Sequence, residues 1–248
     1  MGKLEGKTAW ITGGGGGIGE AAAKALAASG AHVALSGRRA AEVQRVTAEI
    51  QAAGGSAEAA PLDVVDAAAM KATADGIAAR RGGIDIHFAN AGVNVRDRAV
   101  AEVSAEDFAR VMDVNVNGVM YGVIAVLPHM RRAGGGTLIL TSSWAGRHVS
   151  KLTGPAYSAS KHGVVAMAQA INAEEGEHGI RCTALMPGEV VTPILQSRPQ
   201  PPSEADMAKM LKAEDLGETV RFIAEAPMHV CLNEVLISPT WNRFYTGR

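Results

Sequence analysis

Apolar positions along the chain fall into short, strand-like runs that alternate with longer runs at helical spacing. Short runs at 8–11, 32–36, 57–62, 84–89, 137–141, 181–186 and 233–238 predict seven strands. Longer runs at 19–29, 40–53, 67–80, 108–131 and 157–175 predict helices between them, the fourth being one long helix or two nearly continuous ones. Gly30 ends the first helix and Gly54-Gly55 stops the second. Strands alternating with helices predict an α/β fold: one domain over 1–248, a doubly wound parallel sheet of about seven strands with helices on both faces. The rhythm breaks at 187–211, where Pro199, Pro201 and Pro202 predict a long surface loop or short helices ahead of a last helix. Loops of that length are uncommon and often functional, so a substrate lid is expected over 188–212.

Composition narrows the function classes. Of 248 residues, 47% are hydrophobic and 20% charged, which fits a globular chain rather than a disordered one. Lys and Arg number 24 and Asp and Glu 25, so no basic excess is available for nucleic acid. No run approaches the ~18 consecutive apolar residues of a membrane span, and no membrane partner is expected. The segment 1–7 lacks the apolar core of a signal peptide, and Gly6 stands where a myristoylation pattern needs Ser or Thr. Cys182 and Cys231 do not form a C-x-x-C pair, so a reduced, cytoplasmic setting is expected. Glycine at 29 residues, against 4% aromatic, points to tight turns and backbone packed close to a ligand.

The loop Thr12-Gly13-Gly14-Gly15-Gly16-Gly17-Ile18-Gly19 follows the first strand and opens the first helix. A helix N-terminus offers free N–H groups and partial positive charge, which suit a pyrophosphate. Placed at the first strand–helix turn, the pattern points to a dinucleotide. A P-loop is unfavoured, because Glu20 and Ala21 follow Gly19 where Lys and Ser or Thr are needed. The second strand ends Ser36-Gly37-Arg38-Arg39. An NAD site usually places Asp or Glu here; Gly37 offers no carboxylate, and Arg38 suits the 2′-phosphate of NADP, with NAD as the alternative. Asp63 is placed to accept a hydrogen bond from an adenine amine or to cap the next helix, a task for which Asp66 is better placed. Asn90-Ala91-Gly92 closes the fourth strand with small residues that let backbone pass a ribose.

Tyr157 and Lys161, four apart, share one helix face. A lysine ammonium beside a phenol favours the phenolate and lowers the tyrosine pKa, fitting it for proton exchange. Ser143, ending the fifth strand, can donate to a substrate oxygen, and Asn115, inside the fourth helix, can anchor a backbone or water contact next to the lysine. A Tyr–Lys pair at this spacing is commonly a surface contact, but the chain has three tyrosines and this one follows a glycine-containing loop.

Taken together, Thr12-Gly13 with Gly17-Ile18-Gly19, Asp63, Asn90-Ala91-Gly92, Asn115, Ser143, Tyr157 with Lys161, and Pro187-Gly188 resemble the short-chain dehydrogenase/reductase family in order and over nearly the whole chain. The resemblance implies a Rossmann-type oxidoreductase that passes hydride between NADP(H) and an alcohol or carbonyl substrate. Tyr157 would exchange the proton with the substrate oxygen and Ser143 would polarise that oxygen. Lys161 would lower the Tyr157 pKa and contact the nicotinamide ribose, and Asn115 would hold a water linking Lys161 to solvent. The resemblance further implies a cofactor site of Gly13, Gly15, Gly16, Gly17, Ile18, Gly19, Arg38, Asp63, Val64, Asn90, Ala91, Gly92, Tyr157, Lys161, Pro187, Gly188, Val190 and Thr192. No metal is expected, since the seven histidines are scattered without H-E-x-x-H spacing.

Three departures stand out. Ala89 replaces an Asn common in the family, the family's Asp-Gly-Gly ending is missing, and Ser143 lies one position further from Tyr157 than the resemblance predicts. The last leaves Ser142 as an alternative serine and predicts a differently shaped loop at 144–156.

The stretch 233–240 resembles the branch containing 3-hydroxy acid and serine dehydrogenases, so a small 3-hydroxy acid is the expected substrate. Arg147 or Arg198 could clamp a carboxylate or sulfonate, or either could be a solvated arginine. Neutral secondary alcohols and ketones therefore stay open, as does a non-catalytic dinucleotide sensor. Met186, Ile194 and Leu195 read as pocket wall or core. The resemblance implies a homotetramer or homodimer through the helices carrying Asn115 and Tyr157. The small and apolar residues at 163–168 fit such a contact or a core face.

Overall fold

The computed structural model describes residues 2–242. Strands β1 (Thr8–Thr12), β2 (His32–Ser36), β3 (Ser56–Ala59), β4 (Ile86–Ala89), β5 (Gly136–Thr141), β6 (Ile180–Pro187) and β7 (Glu234–Ile237) form one parallel sheet in the order β3-β2-β1-β4-β5-β6-β7. The helices are α1 (Gly17–Ala28), α2 (Ala40–Ala52), α3 (Ala67–Arg81), α4 (Ala105–Met112), α5 (Gly118–Ala133), α6 (Pro155–Glu175), α7 (Glu204–Met207) and α8 (Ala213–Glu225). The five inner strands are buried along their whole length, as strands covered on both faces must be.

Alternate side chains of each strand feed two cores. Trp10, Leu138 and Leu140 pack with α3, α5 and α6 on one face. Ile11, Val33, Leu35 and Ile139 pack with α1, α2 and α8 on the other. The strand order reverses between β1 and β4, and open α/β sheets bind ligands in the crevice beyond the strand C-termini at such a point.

Every predicted strand and helix is present; the differences lie at ends and breaks. The third strand stops at Ala59 rather than 62: Ser36 Oγ donates to Ala60 O at 2.6 Å, and Pro61 has no N–H for the ladder. Asp66, not Asp63, caps α3, accepting from Ala69 N. The long fourth helix is interrupted by a π-turn at Asp113–Asn117, a feature often found at functional sites. Helical stretch Ala105–Ala133 is long and apolar enough to cross a membrane by composition, yet Val119, Val123, Val126 and Met130 from it are buried in the first core. The 187–211 segment contains a 3-10 turn at Pro193–Ser197 and then α7. Its base is pinched shut, because Val190 bridges Leu211 and Val191 N donates to Leu211 O at 2.8 Å.

Candidate active site

The crevice is stitched across the strand reversal. Thr12 Oγ1 accepts from Asn90 N at 3.1 Å and Ala91 N at 3.3 Å, and Asn90 Nδ2 donates to Gly13 O at 3.3 Å. Gly13 and Gly17 have φ of 68° and 54°, the left-handed region that side chains disfavour. Space is equally restrictive: a Cβ at Gly19 would lie 2.2 Å from Gly13 O. The loop therefore folds tightly under the start of α1, and Gly14 N ties it to β2 by donating to Ser36 O at 3.0 Å. A Cβ at Gly17 would lie 3.2 Å from Thr192 Cγ2, so the segment after β6 packs over the glycine loop.

A cavity of about 400 Å³ opens there, within the range of small-molecule sites. Gly13, Gly15, Gly16, Gly17, Ile18, Arg38, Asp63 and Val64 line it, as do Asn90, Ala91, Gly92, Pro187, Gly188, Val190 and Thr192. Ser143, Tyr157 and Lys161 line it as well. Two predicted residues do not. Gly19 sits behind Gly13, and Asn115 is fully buried. Asn115 Oδ1 accepts from Val93 N at 2.8 Å while its Nδ2 donates to Val93 O at 2.9 Å and Ser160 Oγ at 3.1 Å. It pins the loop after β4 to the helix of Tyr157.

The two serines differ in their bonding. Ser142 lines the cavity but is buried, its hydroxyl donating to Lys161 O at 2.8 Å. Ser143 lines the cavity, its hydroxyl donating to Pro187 O at 3.5 Å and accepting from Ala145 N at 3.2 Å. Tyr157 differs from expectation. Desolvation raises its pKa above the ordinary value; Ser143, Arg198 and Arg98 oppose that rise, and Lys161 is not among them. The lysine Nζ lies 5.5 Å from the tyrosine ring centroid and donates to Thr141 O at 2.7 Å. Burial lowers the Lys161 pKa to about 8, so part of its population is uncharged near neutrality.

Of the two arginines singled out, Arg198 lines the cavity and Arg147 does not. Arg147 is exposed and forms an ion pair with Glu234 on β7, its Nε donating to Glu234 Oε2 at 3.1 Å. Sequence reasoning missed Arg39, Arg98 and Glu189. Arg39 Nη2 comes within 3.9 Å of the Cβ position of Gly16, bringing a second cation to the phosphate loop. Arg98 and Glu189 are buried polar side chains of the lining whose neighbours come from distant loops, so no local pattern marks them. Trp144 and His148 stack at 4.5 Å between ring centroids and form a further wall.

The short chain dehydrogenase family model matches residues 7–202. The chain belongs to the short-chain dehydrogenase family. Among curated relatives of this short-chain dehydrogenase, cyclohexanol dehydrogenase of Acinetobacter sp. is 34% identical over 216 residues, 87% of the chain and 82% of that protein. Glycine betaine reductase ATRR of Emericella nidulans is 34% identical over 243 residues, 96% of the chain, but the chain spans 19% of that protein's length. Among solved structures, an alcohol dehydrogenase from Thermococcus sibiricus complexed with 5-hydroxy-NADP superposes with TM-score 0.85 at 30% identity, covering 96% of the chain and 98% of that structure.

Proposed function

We propose that this short-chain dehydrogenase is an NADP(H)-linked alcohol dehydrogenase or carbonyl reductase. The observation that carries the reading is convergence: Ser143, Tyr157 and Lys161 share one cavity with the glycine loop and Arg38. The dinucleotide fits this cradle. Left-handed glycines bring backbone N–H groups to its phosphates, Gly37 offers no carboxylate to repel a 2′-phosphate, and Arg38 and Arg39 stand beside that position. Asp63, Val64 and the Asn90-Ala91-Gly92 turn serve the adenine and ribose, and Pro187, Gly188, Val190 and Thr192 close over the nicotinamide end. The 5-hydroxy-NADP in the Thermococcus relative supports the same choice; NAD is the alternative. When bound, the nicotinamide donates or accepts the hydride.

The chain's own residues handle the proton. Tyr157, held protonated by its buried setting, donates to the carbonyl oxygen in reduction and must accept in oxidation. Ser143 orients the substrate oxygen and stabilises the phenolate left behind. Lys161, close to its titration point, carries the compensating charge, and Asn115 holds its loop and helix in register. The 188–212 segment acts as the lid.

A small 3-hydroxy acid is the favoured substrate, supported by Arg198 in the lining. A neutral secondary alcohol is the second reading, favoured by the cyclohexanol dehydrogenase relative. A homotetramer or homodimer through α5 and α6 is part of this reading, consistent with exposed Ile124 on α5, as is a reduced cytoplasmic setting for the free thiols Cys182 and Cys231. Absorbance of reduced nicotinamide tests the activity, with NADP and NAD and a panel of 3-hydroxy acids and neutral alcohols. Tyr157→Phe should cut turnover by ~10²–10⁴-fold while leaving NADP affinity within ~3-fold. Wild-type turnover in that variant would overturn the assignment.

A further inference from the structure

Glu189 follows the Pro187-Gly188 turn at the end of β6, and its side chain is 4% exposed. A carboxylate so deep is costly unless a cation or several donors meet it. Its backbone has little room to move. Gly188 N donates to Ile237 O at 2.7 Å, and a Cβ at Gly188 would lie 3.1 Å from Ser238 Cβ. The position from which Glu189 projects is thereby tied to β7.

From that fixed point Glu189 holds the segment after β6 twice. Its carbonyl accepts from Leu211 N at 3.0 Å, where the segment returns. Its Oε1 accepts from Arg198 Nη1 at 2.7 Å, nine residues on. The Arg198 side chain is 13% exposed, so both members of the pair are largely withdrawn from water. Between them the chain forms an arch. Leu195 N donates to Thr192 O at 3.1 Å and Arg198 N to Leu195 O at 3.2 Å, while Leu195 itself is buried. The arch meets the phosphate loop where Thr192 faces Gly17, and Val190, Thr192 and Leu195 turn it towards the cavity.

Lifting the arch off Gly17 carries Arg198 away from Glu189 and breaks a charge-assisted bond between desolvated groups. A buried pair of this kind adds little net stability, yet it fixes one arrangement of the parts it joins. We propose that Glu189 is a positioning residue that straps the lid through Arg198, so that opening this ion pair gates passage of the dinucleotide into and out of the cavity. This rests on the reading of the cavity as a dinucleotide site and adds what controls access to it. Both members of the strap belong to the chain, so it closes by itself. A gate of this sort acts on entry and departure in the same direction, and shifts affinity less than either rate.

The test is stopped-flow fluorescence on the full chain: NADPH mixed with protein for entry, and bound NADPH chased with excess NADP for departure. Glu189→Gln and, independently, Arg198→Gln should each speed departure by ~10–100-fold, with entry faster as well. The double variant Glu189→Gln/Arg198→Gln removes both charges together and leaves neither buried alone, so it is the variant that keeps the fold most securely. Because the two side chains share one bond, it should be no faster than the faster single variant. Tryptic cleavage after Lys209, an exposed residue between Arg198 and Leu211, reads the same opening without cofactor and should rise ~10-fold in all three variants. Departure and cleavage within ~2-fold of wild type would overturn the strap. So would faster departure with slower entry, which marks a damaged binding surface, or a double variant showing the product of the two single effects. If a single variant fails to fold, the double variant decides by the same limits. If wild type binds no NADPH, the dinucleotide reading and its gate fall, and the cleavage rates alone judge the strap.

Discussion

The two ends of the cavity are built from different materials. The nucleotide end is backbone: glycines at 13, 15, 16 and 17, small residues at 91 and 92, and Thr12 Oγ1 stitching β1 to the loop after β4. The chemical end is side chain: Tyr157 with Ser143, Lys161, Arg98 and Arg198, the last four held by the carbonyls of Pro187, Thr141 and Leu152 and the carboxylate of Glu189. Backbone cradles tolerate no added atom, whereas clustered buried side chains tolerate substitution of shape but not of charge. Function at the first end should therefore break sterically, and at the second electrostatically.

Gly19→Ala probes the steric end most severely. With 2.2 Å to Gly13 O and 2.7 Å to Asn90 Nδ2, the new methyl must push α1 off the turn. NADP affinity should fall at least ~100-fold with ~1–3 kcal/mol lost in stability, read by fluorescence titration and urea unfolding. Wild-type affinity would show that the turn yields.

Lys161→Met probes the electrostatic end, and its sign is opposite. The Lys161 pKa drops from 10.5 to about 8 on folding. The unfolded chain therefore holds the proton more tightly between those values, so stability rises with pH from about 8 to 10.5 and the full cost is present at neutrality. Removing the amine should raise unfolding free energy at pH 7 by up to ~3 kcal/mol, less ~1 kcal/mol for the lost bond to Thr141 O. Turnover should collapse, and the stability gap should narrow at pH 10. A variant less stable than wild type at pH 7 would contradict this account.

Arg38→Ser should weaken NADP by ~10-fold or more and leave NAD within ~2-fold, measured as the ratio of the two dissociation constants. An unchanged ratio would shift the 2′-phosphate to Arg39. Arg147→Ala should matter least: its exposed pairing with Glu234 sets the expected stability change at ~0.5 kcal/mol or less, with kcat/KM unchanged. A large loss in kcat/KM would bring Arg147 back into the site.

The same contrast explains what was legible. Strand and helix placement follow from buried runs and glycine stops, which are local signals, and so does the glycine end of the cavity. Two nearly continuous helices are among the readings of 108–131, but the place of the break at Asp113–Asn117 is not legible, because Asn115 there bonds to Val93, a tertiary contact that helical periodicity does not carry. Nor could spacing separate Arg147 from Arg198. One finds Glu234 on the last strand and the other Glu189 beside the cavity, and both partners are known only once the chain has closed. The raised Tyr157 pKa has the same origin: helical spacing puts a lysine near the phenol, but burial, which the closed fold imposes, sets the direction.

The pinch of Val190 against Leu211 has a consequence for descent and for engineering. Because the intervening stretch leaves and returns at one point, its length and sequence can change without shifting the sheet or the proton-handling residues. Doubling such a loop costs only ~0.6 kcal/mol in closure entropy. Arg198 travels with that stretch, so exchanging it between related chains would trade one substrate preference for another as a cassette, with the hydride chemistry left in place.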